Sequence, residues 1–154
     1  MYARILVPLD GSELSECALE HVKQIAAVGG PSEVILLRVV EPISINDATA
    51  WSQSGYTITD VQNKNKAGAR EYLSRAADQL INQGISARTE VIEGRATESI
   101  LDYAEKNKVE LIVMSTHGRS GISRWTFGSV ADRVVRHSPI PVLVISPPGC
   151  RSSN

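Results

Sequence analysis

Residues 111–129, LIVMSTHGRSGISRWTFGS, pass from a short apolar run through a loop of glycines and hydroxyl side chains into a helical pattern. The apolar run is typical of a buried strand, and the valines that recur from Val130 at helical spacing indicate a helix. Such a junction brings backbone N–H groups and the positive end of a helix dipole to one place, which suits a phosphate. A second loop, PLDGS at Pro8–Ser12, directly follows the first apolar run, Ile5–Val7. Two such loops in one small α/β chain point to a nucleotide.

The rest of the chain alternates in the same way. Apolar runs at 5–7, 34–37, 111–114 and 142–145 predict strands covered on both faces, and the more mixed run 87–92 predicts an edge strand. Apolar stripes at helical spacing lie between the runs, at 14–25, 73–81, 100–104 and 130–135. This order predicts one doubly wound α/β domain over residues 1–147, with a parallel sheet, helices on both faces and a flexible tail at 148–154. In such sheets ligands bind beyond the carboxyl ends of the strands, where both special loops begin.

The composition gives no support for several classes of partner. The 154 residues carry a net charge of -1, which gives no reason to expect a nucleic acid or an anionic membrane as a partner. No apolar run approaches the roughly 20 residues needed to span a bilayer. The chain enters a strand at once without a signal-peptide pattern, which favours a cytoplasmic location. Cys17 and Cys150 match no metal spacing and are expected as thiols in a reducing compartment.

Several familiar site motifs are missing from the sequence. There is no G-x-x-x-x-G-K-[ST] with a phosphate-clamping lysine, and no G-x-G-x-x-G follows the first strand. The sequence also has no G-x-S-x-G nucleophile turn and no metal-ligand cluster. A nucleotide would therefore be held by backbone amides and hydroxyl groups.

The motifs that are present resemble those of the universal stress protein family, over residues 1–147. Arg4–Ser12, RILVPLDGS, is similar to the first strand and loop of that family. The segments Ser115–Gly118, Gly128–Val130 and His137–Val144 resemble its signature. The nucleotide-binding branch has the pattern G-x2-G-x9-G-[ST], whose spacing is intact here, with Ser115 in place of the first glycine.

The resemblance implies a sheet of order 3-2-1-4-5 and a ligand between the loops after the first and fourth strands. That ligand is ATP, or the related ADP or AMP, with Mg²⁺ as a companion ion. Asp10 is implied near the ribose or a metal-bound phosphate, and Pro8 and Val40 as the adenine wall. Arg119 is implied as a neighbour of the phosphates. The full set of expected nucleotide-binding residues is Pro8, Leu9, Asp10, Val40, Met114, Ser115, Gly118, Arg119, Gly128, Ser129 and Val130.

The last strand is expected to join two copies of the chain. Val142, Leu143, Val144 and Ile145 form an apolar strand at a sheet edge, which is an aggregation hazard unless it is covered. Pairing with its own copy across a two-fold axis removes that hazard, and the family resembled here dimerises in this way.

Simpler roles compete with these assignments. Asp10 lies three residues before Glu13, and Ser129 lies three before Asp132, so each is also expected as a helix cap. Gly118 and Gly128 can serve tight turns that need a positive φ. The imidazole of His117 suits proton transfer, but no partner acid or nucleophile is visible, which favours support of its loop.

Two further questions stay open at this stage. The connection 41–59 has no clear period and is interpreted either as a flap over a ligand or as a surface loop held by Trp51 and Tyr56. Three functions fit the motifs. They are a nucleotide-binding regulatory module, a slow ATP hydrolase or self-phosphorylating protein that uses Asp10 with magnesium, and an interaction protein that binds no nucleotide, which Ser115 would signal.

Overall fold

The sheet has five strands, all parallel, in the order 3-2-1-4-5. The computed structural model describes residues 2–30, 33–44, 46, 55–117 and 128–146. The expected α/β class and strand order are confirmed, and the mixed third strand lies at an edge as predicted. The strands are β1 Arg4–Pro8, β2 Glu33–Val40, β3 Ala87–Glu93, β4 Leu111–Ser115 and β5 Val142–Ile145.

Four helices of the described chain cover the two faces of the sheet. The core is divided by the alternation of strand side chains, so that Ile5 and Val7 pack on one face while Leu6 packs on the other. The first face is covered by α1 and α2, and the second by α3 and α4. The helices are α1 Glu13–Ala27, α2 Ile58–Ile81, α3 Ala96–Lys106 and α4 Ser129–His137.

The second helix begins earlier than its apolar stripe indicates. Thr57 caps it, since its hydroxyl accepts from the Asp60 N–H while the Asp60 carboxylate accepts from the Thr57 N–H, each at 3.1 Å. These contacts hold the pKa of Asp60 below its usual value, the hydroxyl of Thr57 being the main cause. The first half of the helix is mostly exposed, so its sequence lacks the apolar period by which its second half was predicted.

The connection expected over 41–59 therefore ends at Thr57. Tyr56 is 62% exposed and does not hold that segment to the body of the protein. Trp51, Cys150 and the expected tail lie outside the described residues. Within the described ranges, no helix is both long and apolar enough to cross a membrane.

Candidate functional site

A cavity of about 380 Å³ opens at the carboxyl end of the sheet, between the segments that follow β1 and β4. These two strands are neighbours, and the chain leaves them toward opposite sides of the sheet. Beyond their ends, the space between the two segments is not filled by packed side chains. The lining residues are Pro8, Leu9, Asp10, Ser15, Leu37, Arg38, Val39, Glu41, Ala96, Ile100, Met114, Ser115, Thr116, His117, Gly128, Ser129, Val130 and Ala131.

Most of the residues expected to bind a nucleotide line this one cavity. Val40 is not among the lining residues, whereas its neighbour Val39 is. Gly118 and Arg119 lie outside the described residues. The expected residues that meet at the cavity are Pro8, Leu9, Asp10, Met114, Ser115, Gly128, Ser129 and Val130.

The alternation of side chains along β2 explains why Val39 lines the cavity and Val40 does not. Val39 packs with the cluster that contains Ile35 and Leu37, on the face where the cavity opens. Val40 lies one residue further and faces the other side of the sheet, where it is 7% exposed. The sequence VILLRVV is apolar at nearly every position, so its pattern does not show which valine lines the cavity.

The segment after β1 is a tight turn closed by Asp10. Its Oδ1 accepts two hydrogen bonds from Ser12, one from the backbone N–H at 2.9 Å and one from the hydroxyl at 2.6 Å. The turn passes through Gly11 at a φ of +87°, a conformation that glycine adopts without strain. An aspartate that accepts from the backbone two residues onward forms an Asx turn.

The helix cap is Ser12, so the expectation that Asp10 caps α1 is wrong. The Ser12 hydroxyl accepts from the Ser15 N–H at 3.2 Å, which satisfies one of the amides at the start of α1. The geometric reason is that Asp10 precedes the turn, and its carboxylate binds Ser12 instead of the helix. Ser15 is 5% exposed and lines the cavity, and its hydroxyl donates to the Ser12 carbonyl at 2.8 Å.

The start of α4 presents backbone amides to the cavity. Gly128 is the N-cap, and no side chain caps the helix among the described residues, so the expectation that Ser129 is the cap is wrong. The Gly128 N–H donates to the Thr116 carbonyl at 2.7 Å. Helix geometry leaves the N–H groups of Ser129, Val130 and Ala131 without an intrahelical acceptor, and all three residues line the cavity. Three amides at the positive end of a helix dipole suit an anion.

Gly128 is needed for close approach and not for a positive φ. Its φ is −57°, so the interpretation as a positive-φ turn is wrong at this position. A Cβ built on Gly128 would lie 2.8 Å from the Thr116 carbonyl oxygen. The helix can start this close to the strand because the first residue has no side chain.

Three buried polar residues line the cavity wall where β4 ends. Ser115, Thr116 and His117 are 6%, 3% and 8% exposed. The His117 N–H donates to the Ser115 hydroxyl at 3.4 Å, and the Thr116 hydroxyl lies 2.8 Å from Nδ1 of His117. The serine that replaces the first glycine of the pattern therefore binds its own segment and also lines the cavity.

The residues present fit a magnesium ion only as a companion of a phosphate. In the described ranges, no group of three or more His, Cys, Asp and Glu side chains is placed to hold a metal ion. Asp10 and Glu41 supply carboxylates to the cavity wall. Mg²⁺ is commonly held by one or two carboxylates together with substrate phosphates, which is the arrangement these residues allow.

Comparison with known proteins gives one consistent family. The model of the universal stress protein family matches residues 1–146. Universal stress protein MJ0531 of Methanocaldococcus jannaschii is 32% identical over 151 residues, covering 96% of this chain and 84% of that protein. The solved structure of hypothetical protein MJ0577, from the same organism, has a TM-score of 0.81 at 29% identity and covers 100% of this chain and 99% of that one. A universal stress protein solved in complex with cAMP has a TM-score of 0.61 at 25% identity, covering 94% of this chain and 97% of that one. The chain therefore belongs to the universal stress protein family.

Proposed function

We propose that this universal stress protein binds an adenine nucleotide in the cavity between the segments that follow β1 and β4. The phosphate lies at the start of α4, and the base lies against Pro8, Leu9 and Val39. The observation that carries the proposal is that three uncapped amides and an apolar wall line the same space. A relative of the same fold has been solved with cAMP, an adenine nucleotide, which supports the choice of base.

The two walls of the cavity match the two halves of such a ligand. The amides of Ser129, Val130 and Ala131 are fixed donors, and an anion at a helix N-terminus needs no lysine to be held. The wall formed by Pro8, Leu9 and Val39 is apolar, as a flat base requires. A volume of about 380 Å³ lies in the range of small-molecule sites.

The first experiment is to denature the purified protein and identify any nucleotide that it releases. Calorimetry on the emptied protein with ATP, ADP and AMP, each with and without Mg²⁺, then gives the affinity and the preferred number of phosphates. GTP and GMP are the matched controls for the base. We expect release or binding of an adenine nucleotide. A protein that releases none and gives no heat with any of the three would refute the proposal.

Nucleotide binding here serves a regulatory module, and slow phosphoryl transfer is a second candidate. One contact favours the second function, because the Thr116 hydroxyl lies 2.8 Å from an imidazole nitrogen at the cavity wall. In that reaction the hydroxyl oxygen attacks the γ-phosphorus of ATP, ADP leaves, and the proton passes to His117. Incubation with γ-labelled ATP separates the two functions. Label on the wild type but not on Thr116→Val indicates transfer, and binding without label or free phosphate indicates the module.

We propose further that the protein is a homodimer joined through β5. The carbonyl of Pro141 accepts from the N–H of Ile112 in β4 at 2.9 Å, and that of Ile145 accepts from the N–H of Thr116, directly after β4, at 2.8 Å. Since alternate residues of a strand face opposite neighbours, the N–H and C=O groups of Val142 and Val144 face the outer edge of the sheet. Leu143 is 37% exposed beside them. A second copy of β5 would satisfy these backbone groups and cover the apolar edge.

A proline at Val144 tests this pairing. Val144→Pro removes an outward N–H without removing a hydrogen bond to β4, so the fold is retained while the pairing is lost. Val144→Thr is the matched control, because it keeps both the N–H and the β-branched shape. We expect light scattering to give a dimer for wild type and control and a monomer for Val144→Pro. A dimer that survives the proline, or a monomeric wild type, would reject the model.

A further inference from the structure

Ser12 is not one of the residues that line the cavity, yet its hydroxyl donates to the Asp10 carboxylate at 2.6 Å. We propose that Ser12 is a positioning residue, which fixes the Asp10 carboxylate so that it accepts hydrogen bonds from the ribose hydroxyls of the nucleotide. This inference rests on the proposed function. Its new element is the role of Ser12, since the family resemblance already implies that Asp10 lies near the ribose or a metal-bound phosphate.

The turn holds Asp10 at two points. Oδ1 accepts from both the N–H and the hydroxyl of Ser12, at 2.9 and 2.6 Å. The Asp10 N–H in turn donates to the Ser15 hydroxyl at 3.4 Å, and that hydroxyl donates to the Ser12 carbonyl at 2.8 Å. The rotation of the carboxylate about its side-chain bonds is therefore restricted before any ligand arrives. Groups fixed in this way lose less entropy on binding.

The chemistry of a carboxylate selects the sugar over the phosphate. An ionised carboxylate only accepts hydrogen bonds, and without a bridging metal ion it repels a phosphate, which carries the same sign of charge and no donor. The two hydroxyls of a ribose are neutral donors and match it. The donors that suit a phosphate lie instead at the start of α4, on Ser129, Val130 and Ala131. Asp10 therefore marks the nucleoside end of the cavity.

The Ser12 hydroxyl has a second role that the test must separate. It also accepts from the Ser15 N–H at 3.2 Å, as the N-cap of α1. Loss of a serine cap costs about 1 kcal/mol of stability. Glu20→Gly is a matched control, because a glycine in the exposed interior of the same helix costs about 1 kcal/mol, and Glu20 is exposed and pairs with Lys23. Ser12→Thr keeps the hydroxyl for both roles.

The experiment measures AMP and 2′,3′-dideoxy-AMP by calorimetry on the emptied protein. We expect Ser12→Ala to lower the affinity for AMP about tenfold, the loss typical of one hydrogen bond to a charged group. The affinity for dideoxy-AMP should fall by less than about twofold. Ser12→Thr should retain most of the AMP affinity, and Glu20→Gly should bind both ligands as the wild type does. In an Asp10→Ala background, Ser12→Ala should cost nothing more, since the two residues act as one unit.

The outcomes separate the two proposals. If the wild type binds neither ligand, the proposed function fails and this inference fails with it. If the wild type binds both ligands equally well, or if Ser12→Ala weakens both equally, the nucleotide site stands and the role of Ser12 is refuted. An additive loss in the double variant would also refute it.

Discussion

The two ends of the sheet are built from different chemistry. At the amino end, Arg88 pairs with Glu33 at 3.0 Å and with Glu90 at 3.2 Å, and Arg4 reaches Glu33 at 3.5 Å. These pairs join the amino-terminal parts of β1, β2 and β3. At the carboxyl end the wall is made of backbone amides, buried hydroxyls and the turn that holds Asp10.

The difference shows which end is available to a ligand. The charges of the amino end are satisfied by one another, so that end adds stability and offers little to a partner. The amides of Ser129, Val130 and Ala131 have no acceptor within their helix, and they face a cavity. Substitutions at the carboxyl end should therefore change binding, whereas those at the amino end should change stability alone.

The largest effect is expected at Gly128. In Gly128→Ala the new Cβ would lie 2.8 Å from the Thr116 carbonyl oxygen, so the start of α4 must retreat from β4. The three amides then leave their positions, and we expect nucleotide affinity to fall by at least about 100-fold, as the loss of a few hydrogen bonds to a charged group implies. Calorimetry on the folded variant measures this.

Gly68→Ala is the control for Gly128→Ala. A Cβ on Gly68 meets nothing within 4 Å, and its place inside α2 means that alanine should stabilise the helix by about 0.5–1 kcal/mol. Nucleotide affinity should be unchanged in this variant. A folded Gly128→Ala protein that binds within about twofold of the wild type would show that the start of α4 does not hold the phosphate.

A smaller effect is expected at the amino end. Arg88→Ala removes both ion pairs of Arg88 in a half-exposed setting, so we expect a loss of about 1 kcal/mol in the free energy of unfolding, measured in urea. Arg75→Ala is the control, because its pair with Glu71 on α2 is largely exposed and should cost less. Neither variant should alter nucleotide affinity. A change in affinity with Arg88→Ala would mean that the two ends are coupled.

The smallest effect is expected at two tyrosines, Tyr72 near Asp10 at the carboxyl end of the sheet and Tyr103 near Arg88 at the amino end. Burial raises the pKa of Tyr72, and the carboxylate of Glu16 raises it further. Burial also raises the pKa of Tyr103, where Arg88 opposes the effect of Glu90. A tyrosine ionises near pH 10 in the unfolded chain. The stability that depends on these phenols being protonated is therefore complete below about pH 10, and it is lost as the pH rises toward their higher pKa values in the folded protein.

The alkaline loss of stability should therefore be shallower in the phenylalanine variants. We expect Tyr72→Phe to reduce the difference in urea midpoint between about pH 8 and pH 11 more than Tyr103→Phe does, because Glu16 and Asp10 add to the effect of burial on the pKa of Tyr72, whereas Arg88 opposes it at Tyr103. Equal slopes in the wild type and both variants would show that neither phenol is protected in the folded protein.

The sequence predicts the elements of this fold better than their ends. Continuous apolar runs identify the strands because helices cover both faces, and the charged residues of β3 identify an edge. The same continuity conceals the direction of individual side chains, so the pattern does not show that Val39, and not Val40, lines the cavity. The exposed half of α2 carries no apolar stripe and was missed before Leu73 for that reason.

The site residues divide in a similar way. Motif and family resemblance predict Pro8, Asp10, Gly128 and Ser129, and all four line the same cavity. The caps were misassigned because a cap depends on where the chain turns, and Gly11 shifts the start of α1 past Asp10. No sequence pattern singles out Ser12, because its proposed role depends on the geometry of the Asp10 carboxylate, which the sequence does not show.

The main chain of Thr116 belongs to two structures at once. Its N–H donates to the carbonyl of Ile145, and its carbonyl accepts from the N–H of Gly128. A single residue thus links the beginning of α4 with the outermost strand of the sheet. A displacement of the beginning of α4 would therefore act on the edge strand through the backbone of this one residue.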